Sequence, residues 1–231
     1  MARLTIGLPY NVALSKVVNL MTGFEEAANK SADILGFGIQ HLTGRGWTWM
    51  LHALSIQLNA PLQVLPFEIR TWPSGLEKMF VYRDFEIWQN SQLIGRASSS
   101  WLVVDSMERK IVVDQDFLES LAKHERPHVA PRPERIRISE DNLLSTYDAK
   151  VDGALLDSND HLNNKYYVEM ALKGMGVKSE LKSLDMLFRS EAILDEQLQI
   201  FIYGSEKKEF YHKIISKKDG RLVASGRSTW T

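Results

Sequence analysis

The chain has 231 residues, 44% of them hydrophobic and 25% charged, enough for one large domain or two small ones with a buried core. Twenty-eight Lys and Arg face 29 Asp and Glu for a formal charge of −1, which leaves no overall bias toward nucleic acid or an anionic membrane. Cysteine is absent, which excludes disulfides, thiolate metal sites and a cysteine nucleophile.

The first twenty residues mix Arg3, Pro9, Asn11, Ser15 and Lys16 among aliphatics, and no apolar run approaches a membrane span. Neither a signal peptide nor an anchor is read there, and a cytoplasmic location is expected. The first helix is expected to begin at a capping box, Thr22-Gly23-Phe24-Glu25. Phe24, Ala27, Ala28, Ser31, Ala32 and Leu35 then follow at helical spacing until Gly36. Strands are expected over Trp47 to Leu58, Leu65 to Trp72 and Met79 to Trp88, and around Leu93.

Pro127, Pro131 and Pro133, three of the seven prolines, cluster between His124 and Arg135 and mark a linker at 124–135 between halves 1–123 and 136–231. The second half opens a helix through Tyr166, Tyr167, Val168, Met170, Ala171, Leu172 and Met175, apolar nearly all round and ending at Gly174 and Gly176. Strands at Ser183 to Arg189, Gln197 to Tyr203 and Phe210 to Lys217 complete it.

The halves echo each other. Asn90-Ser91-Gln92-Leu93-Ile94-Gly95-Arg96-Ala97-Ser98-Ser99-Ser100-Trp101 near the end of the first matches Asp219-Gly220-Arg221-Leu222-Val223-Ala224-Ser225-Gly226-Arg227-Ser228-Thr229-Trp230 at the end of the second. Turn, two aliphatics, small residues and a Trp recur in step, the pattern of a duplication. The expected fold is α+β, an antiparallel sheet around one buried helix, twice.

The chemistry concentrates just before the second helix, in Asp157-Ser158-Asn159-Asp160-His161-Leu162-Asn163-Asn164. In an extended run, Asp157, Asn159 and His161 at i, i+2 and i+4 share one side, where a carboxylate, an amide and an imidazole could meet one substrate atom. The same residue types make turns and cap helices, and spacing alone leaves both readings open. A helix starting near Asn163 would add free N–H groups and a partial positive charge, suited to an oxyanion. Glu191, in Phe188-Arg189-Ser190-Glu191-Ala192, could join as a second carboxylate.

The run Asp157-x-Asn159-x-His161-x-Asn163-Asn164-Lys165-Tyr166 with Phe188-Arg189-Ser190-Glu191 resembles the acyl-acyl carrier protein (acyl-ACP) thioesterases of plants and bacteria. So do Gly46-Trp47-Thr48-Trp49-Met50, Gly95 to Trp101 and the order of helix and strands, so the resemblance spans nearly the whole chain. It implies a tandem hotdog and hydrolysis of fatty acyl-ACP to free fatty acid and holo-carrier, without metal or cofactor. The catalytic set it implies is Asp157, Asn159, His161 and Glu191. Glu191 would act as base or nucleophilic carboxylate, Asp157 as the group that positions and polarises its neighbours, and Asn159 and His161 as holders of the water or the carbonyl oxygen.

Some plant members carry a cysteine after the glutamate, where this chain has Ala192, so a cysteine mechanism is excluded for it. Val17 to Phe24, ahead of the first helix as read here, holds neither His nor carboxylate, so one site per chain is expected. By analogy Trp47, Trp49 and Met50 would border the acyl chain, with Asn163 and Asn164 also touching substrate.

An acidic carrier protein requires a basic patch. The segment from Lys123 to Arg137 has five Lys and Arg against two Glu, which offers Arg126, Arg132, Arg135 and Arg137, with Lys165 on the helix. Acyl-coenzyme A thioesterase, a non-catalytic acyl-binding module and a hotdog dehydratase are the alternatives, and the protein is read as monomer or homodimer.

Overall fold

The computed structural model describes residues 2–6, 12–63, 66–138, 140–173, 175, 179–204 and 208–231. Strand β1 (Ala2–Ile6) leads into helix α1 (Val12–Leu35) and the short α2 (Ile39–Thr43). Strands β2 (Trp47–Leu58), β3 (Phe67–Glu77), β4 (Phe80–Gln89) and β5 (Gln92–Asp105) follow, then α3 (Gln115–Ala122). The second part runs β6 (Leu143–Lys150), α4 (Asn164–Lys173), β7 (Leu181–Phe188), β8 (Gln197–Gly204), β9 (Glu209–Ser216) and β10 (Leu222–Trp230).

The ten strands form one antiparallel sheet in the order β1-β3-β4-β5-β2-β7-β10-β9-β8-β6. Outward from the central β2–β7 pair the two sides repeat the same connectivity: β5, β4, β3, β1 on one and β10, β9, β8, β6 on the other. Where the sequence leads one to expect a sheet per half, the structure joins them, Ala53 facing Leu187 through to Gln57 facing Ser183. Pairing β2 with β7 leaves neither half with an unpaired inner edge, and Ser55 Oγ donates to Asp185 Oδ1 across the seam at 2.7 Å.

Helix α1 begins at Val12, nearly three turns before the capping box at Thr22. Val17, Leu20, Met21, Phe24, Ala27, Ala28 and Ser31 are buried at i, i+3, i+4, i+7, i+10, i+11 and i+14, one continuous stripe. Thr22 lies inside it and its hydroxyl donates to the Val18 carbonyl four residues back (3.2 Å), so it caps nothing. Helix α4 buries Tyr167, Val168, Met170, Ala171 and Leu172 and packs against α1. The expected stops at Gly174 and Gly176, and Leu65 at the expected start of β3, lie outside the described residues.

A single hydrophobic core under α1 and α4 draws on both halves, from Val17 to Ala224. A smaller cluster unites Phe37, Leu42, Val81, Val103, Phe117, Leu118 and Leu121 beneath α2 and α3, two helices the periodicity did not reveal. The sequence echo falls on the β4–β5 and β9–β10 hairpins. Asn90 and Ser91 both have positive φ (48° and 63°), as the two-residue hairpin turn requires. In both copies the closing Trp donates its Nε1 to the Ser two residues back, Trp101 to Ser99 (2.7 Å) and Trp230 to Ser228 (2.9 Å).

The proline-rich stretch has no regular structure but is tied to the sheet through Asp84, which is fully buried. Its carboxyl accepts from Ser74 Oγ, Ser98 Oγ and the N–H groups of Val129 and Ala130, at 2.7 to 3.2 Å, and meets His128 Nδ1 at 2.9 Å.

Candidate active site

The stretch from Asp157 to His161 is a turn, not the extended run that would put i, i+2 and i+4 on one side. Leu156 and Leu162 bridge its base, Asp157 N–H donates to the His161 carbonyl (2.7 Å), and Asp160 takes a φ of 60°. The Asp157 side chain holds the turn from within, Oδ1 accepting the N–H groups of Asn159 (2.8 Å) and His161 (3.2 Å). The turn-forming and site-forming readings of these residues therefore coexist: the carboxylate shapes the loop that carries the imidazole.

Asn163 starts α4. Its Oδ1 accepts from Lys165 N–H (3.1 Å), its carbonyl accepts from Tyr166 N–H (2.9 Å), and its Nδ2 donates to Glu25 Oε2 on α1 (3.3 Å). The helix start is thus largely capped from within, and the Lys165 and Tyr166 N–H groups expected to face an oxyanion are already taken. Side-chain amides of Asn159 and Asn164, both on the cavity wall, are the donors better placed to meet a substrate oxygen.

Glu191 sits beyond the end of β7, on the loop after Phe188. Leu162 N–H donates to the Ala192 carbonyl (2.8 Å), and His161 bridges Ile193, so this loop runs against the Asp157–His161 turn. Tyr167 Oη accepts from Ala192 N–H (3.0 Å), and burial pushes this phenol's pKa up, so it stays a neutral anchor. Arg221 Nη2 donates to the Glu191 carbonyl (2.9 Å) while pairing with Glu196 and Asp219. Braced in this way, Glu191 Oε2 lies 3.3 Å from His161 Nε2.

These residues open onto a cleft that runs between α1 and the sheet. Asp157, Asn159, His161, Asn163, Asn164 and Glu191 all line it, as do Trp49 and Met50 and the apolar Phe24, Leu54, Phe85 and Trp101. Trp47 does not: it packs edge-on against Phe117 (5.8 Å) under Arg45, in the smaller cluster.

Of the expected docking cations only Lys165 lines the cleft. Arg132 is engaged in the fold, stacked over Tyr82 (3.9 Å) and bonded to Ser74 Oγ and carbonyl. Arg135 borders a separate groove with His52 and Arg189, and Arg126 and Arg137 are exposed.

Two contributors come from the half that the sequence reading left without chemistry. Glu25 braces Asn163, and Arg109, on the turn after β5, forms an ion pair with Glu191 and reaches His161 Nε2 at 3.3 Å. No spacing signal could have found them: they are 138 and 52 residues distant in sequence from the partners they bond.

Residues 10–121 match the Acyl-ACP thioesterase N-terminal domain and residues 139–231 the Acyl-ACP thioesterase C-terminal domain. Among solved structures, an acyl-ACP thioesterase from Bacteroides thetaiotaomicron superposes with a TM-score of 0.84 at 21% identity, over 99% of this chain and 97% of its own. The 12:0-ACP thioesterase from Umbellularia californica gives 0.86 at 17% identity, over 99% and 96%. A putative oleoyl thioesterase from Lactobacillus plantarum gives 0.81 at 18%, over 99% and 95%. At these identities the likeness is one of fold, the double hotdog. No curated protein sequence matches. The two domain matches together span most of the chain in the order its two half-sheets are built, and on that ground it belongs to the acyl-ACP thioesterase family and is a thioester hydrolase.

Proposed function

We propose that the protein hydrolyses fatty acyl-ACP at the Asp157–Glu191 site, releasing free fatty acid and the carrier's phosphopantetheine thiol. The observation that carries this reading is the meeting of Glu191 and His161, 3.3 Å apart, on the wall of a cleft also lined by Phe24, Leu54, Phe85 and Trp101. Glu191 takes a proton from water as the water oxygen bonds to the thioester carbonyl carbon. The carbonyl oxygen becomes an oxyanion, held by amide donors of Asn159 and Asn164. Collapse re-forms the carbonyl, breaks the C–S bond and passes the proton from Glu191 to the departing thiolate. Atoms and charge balance with water as the only co-reactant, so neither cofactor nor metal enters the scheme.

The family match supports acyl-ACP as the substrate class, while acyl-coenzyme A offers the same thioester on another handle. A panel of acyl groups presented on carrier protein and on coenzyme A tests both levels. Wild type is expected to favour the carrier-bound form by at least tenfold in kcat/KM, and Glu191→Gln is expected to lower kcat by about 10²- to 10⁴-fold on either handle. Equal kcat/KM on the two handles would make the protein a general acyl thioesterase; full activity in Glu191→Gln would remove Glu191 from the chemistry. No described helix is long and apolar enough to cross a membrane, and a cytoplasmic setting goes with this reading.

A further inference from the structure

We propose that Arg109 is a positioning residue of the hydrolytic site, carried by the first half of the chain to the reacting carboxylate of the second. What Glu191 and His161 do is taken from the hydrolase reading; what Arg109 does to them follows from its geometry.

The turn that presents Arg109 is closely built. Asp105 Oδ1 accepts the N–H groups of Met107 (2.9 Å) and Glu108 (2.8 Å), and the Arg109 N–H returns to the Asp105 carbonyl (3.0 Å). Asp105 N–H donates to the Lys110 carbonyl and Ser106 N–H to that of Gly46, both at 2.8 Å. Arg109 itself has a φ of 57°, a conformation that costs an L residue roughly 1–2 kcal/mol and that these bonds enforce. Its side chain, 37% exposed, leans from this turn over the cleft mouth onto Glu191, itself 37% exposed.

A single guanidinium nitrogen, Nη2, faces both Glu191 Oε2 and His161 Nε2, the latter at 3.3 Å, while those two atoms are also 3.3 Å apart. A guanidinium nitrogen donates and never accepts. Nη2 therefore donates toward His161 Nε2, which offers its lone pair, while the guanidinium charge pairs with the Glu191 carboxylate. The proton of the neutral ring then resides on Nδ1. Were Arg109 absent, a proton on Nε2 would donate to Glu191 across the same 3.3 Å gap, the other arrangement open to the pair. Arg109 thus selects between two arrangements of the same pair: it fixes the His161 tautomer, sets the Glu191 carboxylate and keeps the two from closing on each other.

The experiment compares wild type with Arg109→Ala and Arg109→Lys, using one acyl thioester of simple thiol handle and ¹⁵N-labelled protein. Arg109→Ala should lose about 30- to 100-fold in kcat with KM changed less than about threefold, the scale of a misplaced reacting group. Added guanidinium ion should restore part of that rate. Arg109→Lys, with a point charge in place of the planar fork, should fall between. Independently of turnover, the ¹⁵N shifts of the His161 ring, followed up a pH series to the plateau of the neutral ring, should place the proton on Nδ1 in wild type. They should move it to Nε2 in Arg109→Ala. An unmoved tautomer, or wild-type kcat in Arg109→Ala, overturns the proposal. Absence of turnover in wild type on carrier-bound substrate as well overturns the hydrolase reading instead and leaves the tautomer measurement standing.

Discussion

At Asp157 one carboxylate oxygen is committed to the backbone. Because Oδ1 accepts from both Asn159 and His161 N–H, the geometry that brings His161 to Glu191 depends on an acceptor at this place more than on a charge. Asp157→Asn keeps the acceptor and is expected to hold kcat within about threefold, whereas Asp157→Ala leaves two N–H groups without it and should cost about 1–2 kcal/mol of stability. The loosened turn should lower kcat by about 10²-fold. Steady-state kinetics with urea midpoints on both variants check this, and an Asn variant as slow as the Ala one would assign the role to the negative charge. This division was half legible in the sequence. The family resemblance pointed to hydrolysis, while the residue types alone read equally as a turn, and the run proves to be one. Arg109 and Glu25 stayed invisible because a lone Arg in a charged turn and a Glu on a helix look like ordinary solvated residues until the fold brings them across.

Among the elements, those with a strong internal pattern were readable and those defined by partners were not. Strand β2 was legible to the residue because Trp47-Thr48-Trp49 opens a run to Leu58 that no Gly or Pro interrupts, and the echo of Gly95 to Trp101 in Ala224 to Trp230 exposed the repeated hairpin. Strand β6 was not, since as an edge strand it alternates only between exposed and half-buried positions and has no apolar face to read. The start of α1 was misplaced because Thr22-x-x-Glu25 imitates a cap in the middle of a stripe that begins earlier. The proline-rich stretch read as a free linker, but it is held by Asp84, whose carboxyl gathers five polar partners at zero exposure. Asp84→Ala strands the Val129 and Ala130 N–H groups and two serine hydroxyls away from water. Removing the hub of such a buried network should cost about 3–5 kcal/mol. In a chain of this size that corresponds to a melting point lower by about 6 to 20 °C. Limited proteolysis should show new cleavage within residues 124–138 before the rest of the chain is cut. Protection equal to wild type there would mean that the segment is held by its other contacts, such as Arg132 on Ser74.

For the molecule as a whole, the duplication has gone past two domains in contact. The halves retain the same strand order, the same hairpin and the same Trp-to-Ser hydrogen bond, yet the sheet is continuous and the core is common to both. Ile56 on β2 and Leu184 on β7 face each other at zero exposure in the central pair, and α1 lies against α4. The candidate site follows the same logic, with Glu191 and His161 from one half and Arg109 and the α1 wall of the cleft from the other. Separating the halves would bare the inner edges of β2 and β7, the facing sides of two helices and the site itself, so partial unfolding has no stable stopping point. Heat should therefore unfold the chain in one step. By the usual per-residue scaling, 231 residues absorb about 160 kcal/mol near 60 °C, and calorimetric and van't Hoff enthalpies should agree at that scale. Independent halves would instead give a van't Hoff enthalpy near 80 kcal/mol, half the calorimetric one, or two resolved peaks. A charge placed in the seam sharpens the test: Ile56→Asp, though it alters only the first half, should lower the single midpoint reported by Trp101 and Trp230 alike. If scanning calorimetry resolved two transitions and only the first moved, the β2–β7 pair would be a docking contact between two self-sufficient domains, and an active site assembled across it would come apart before either half unfolded.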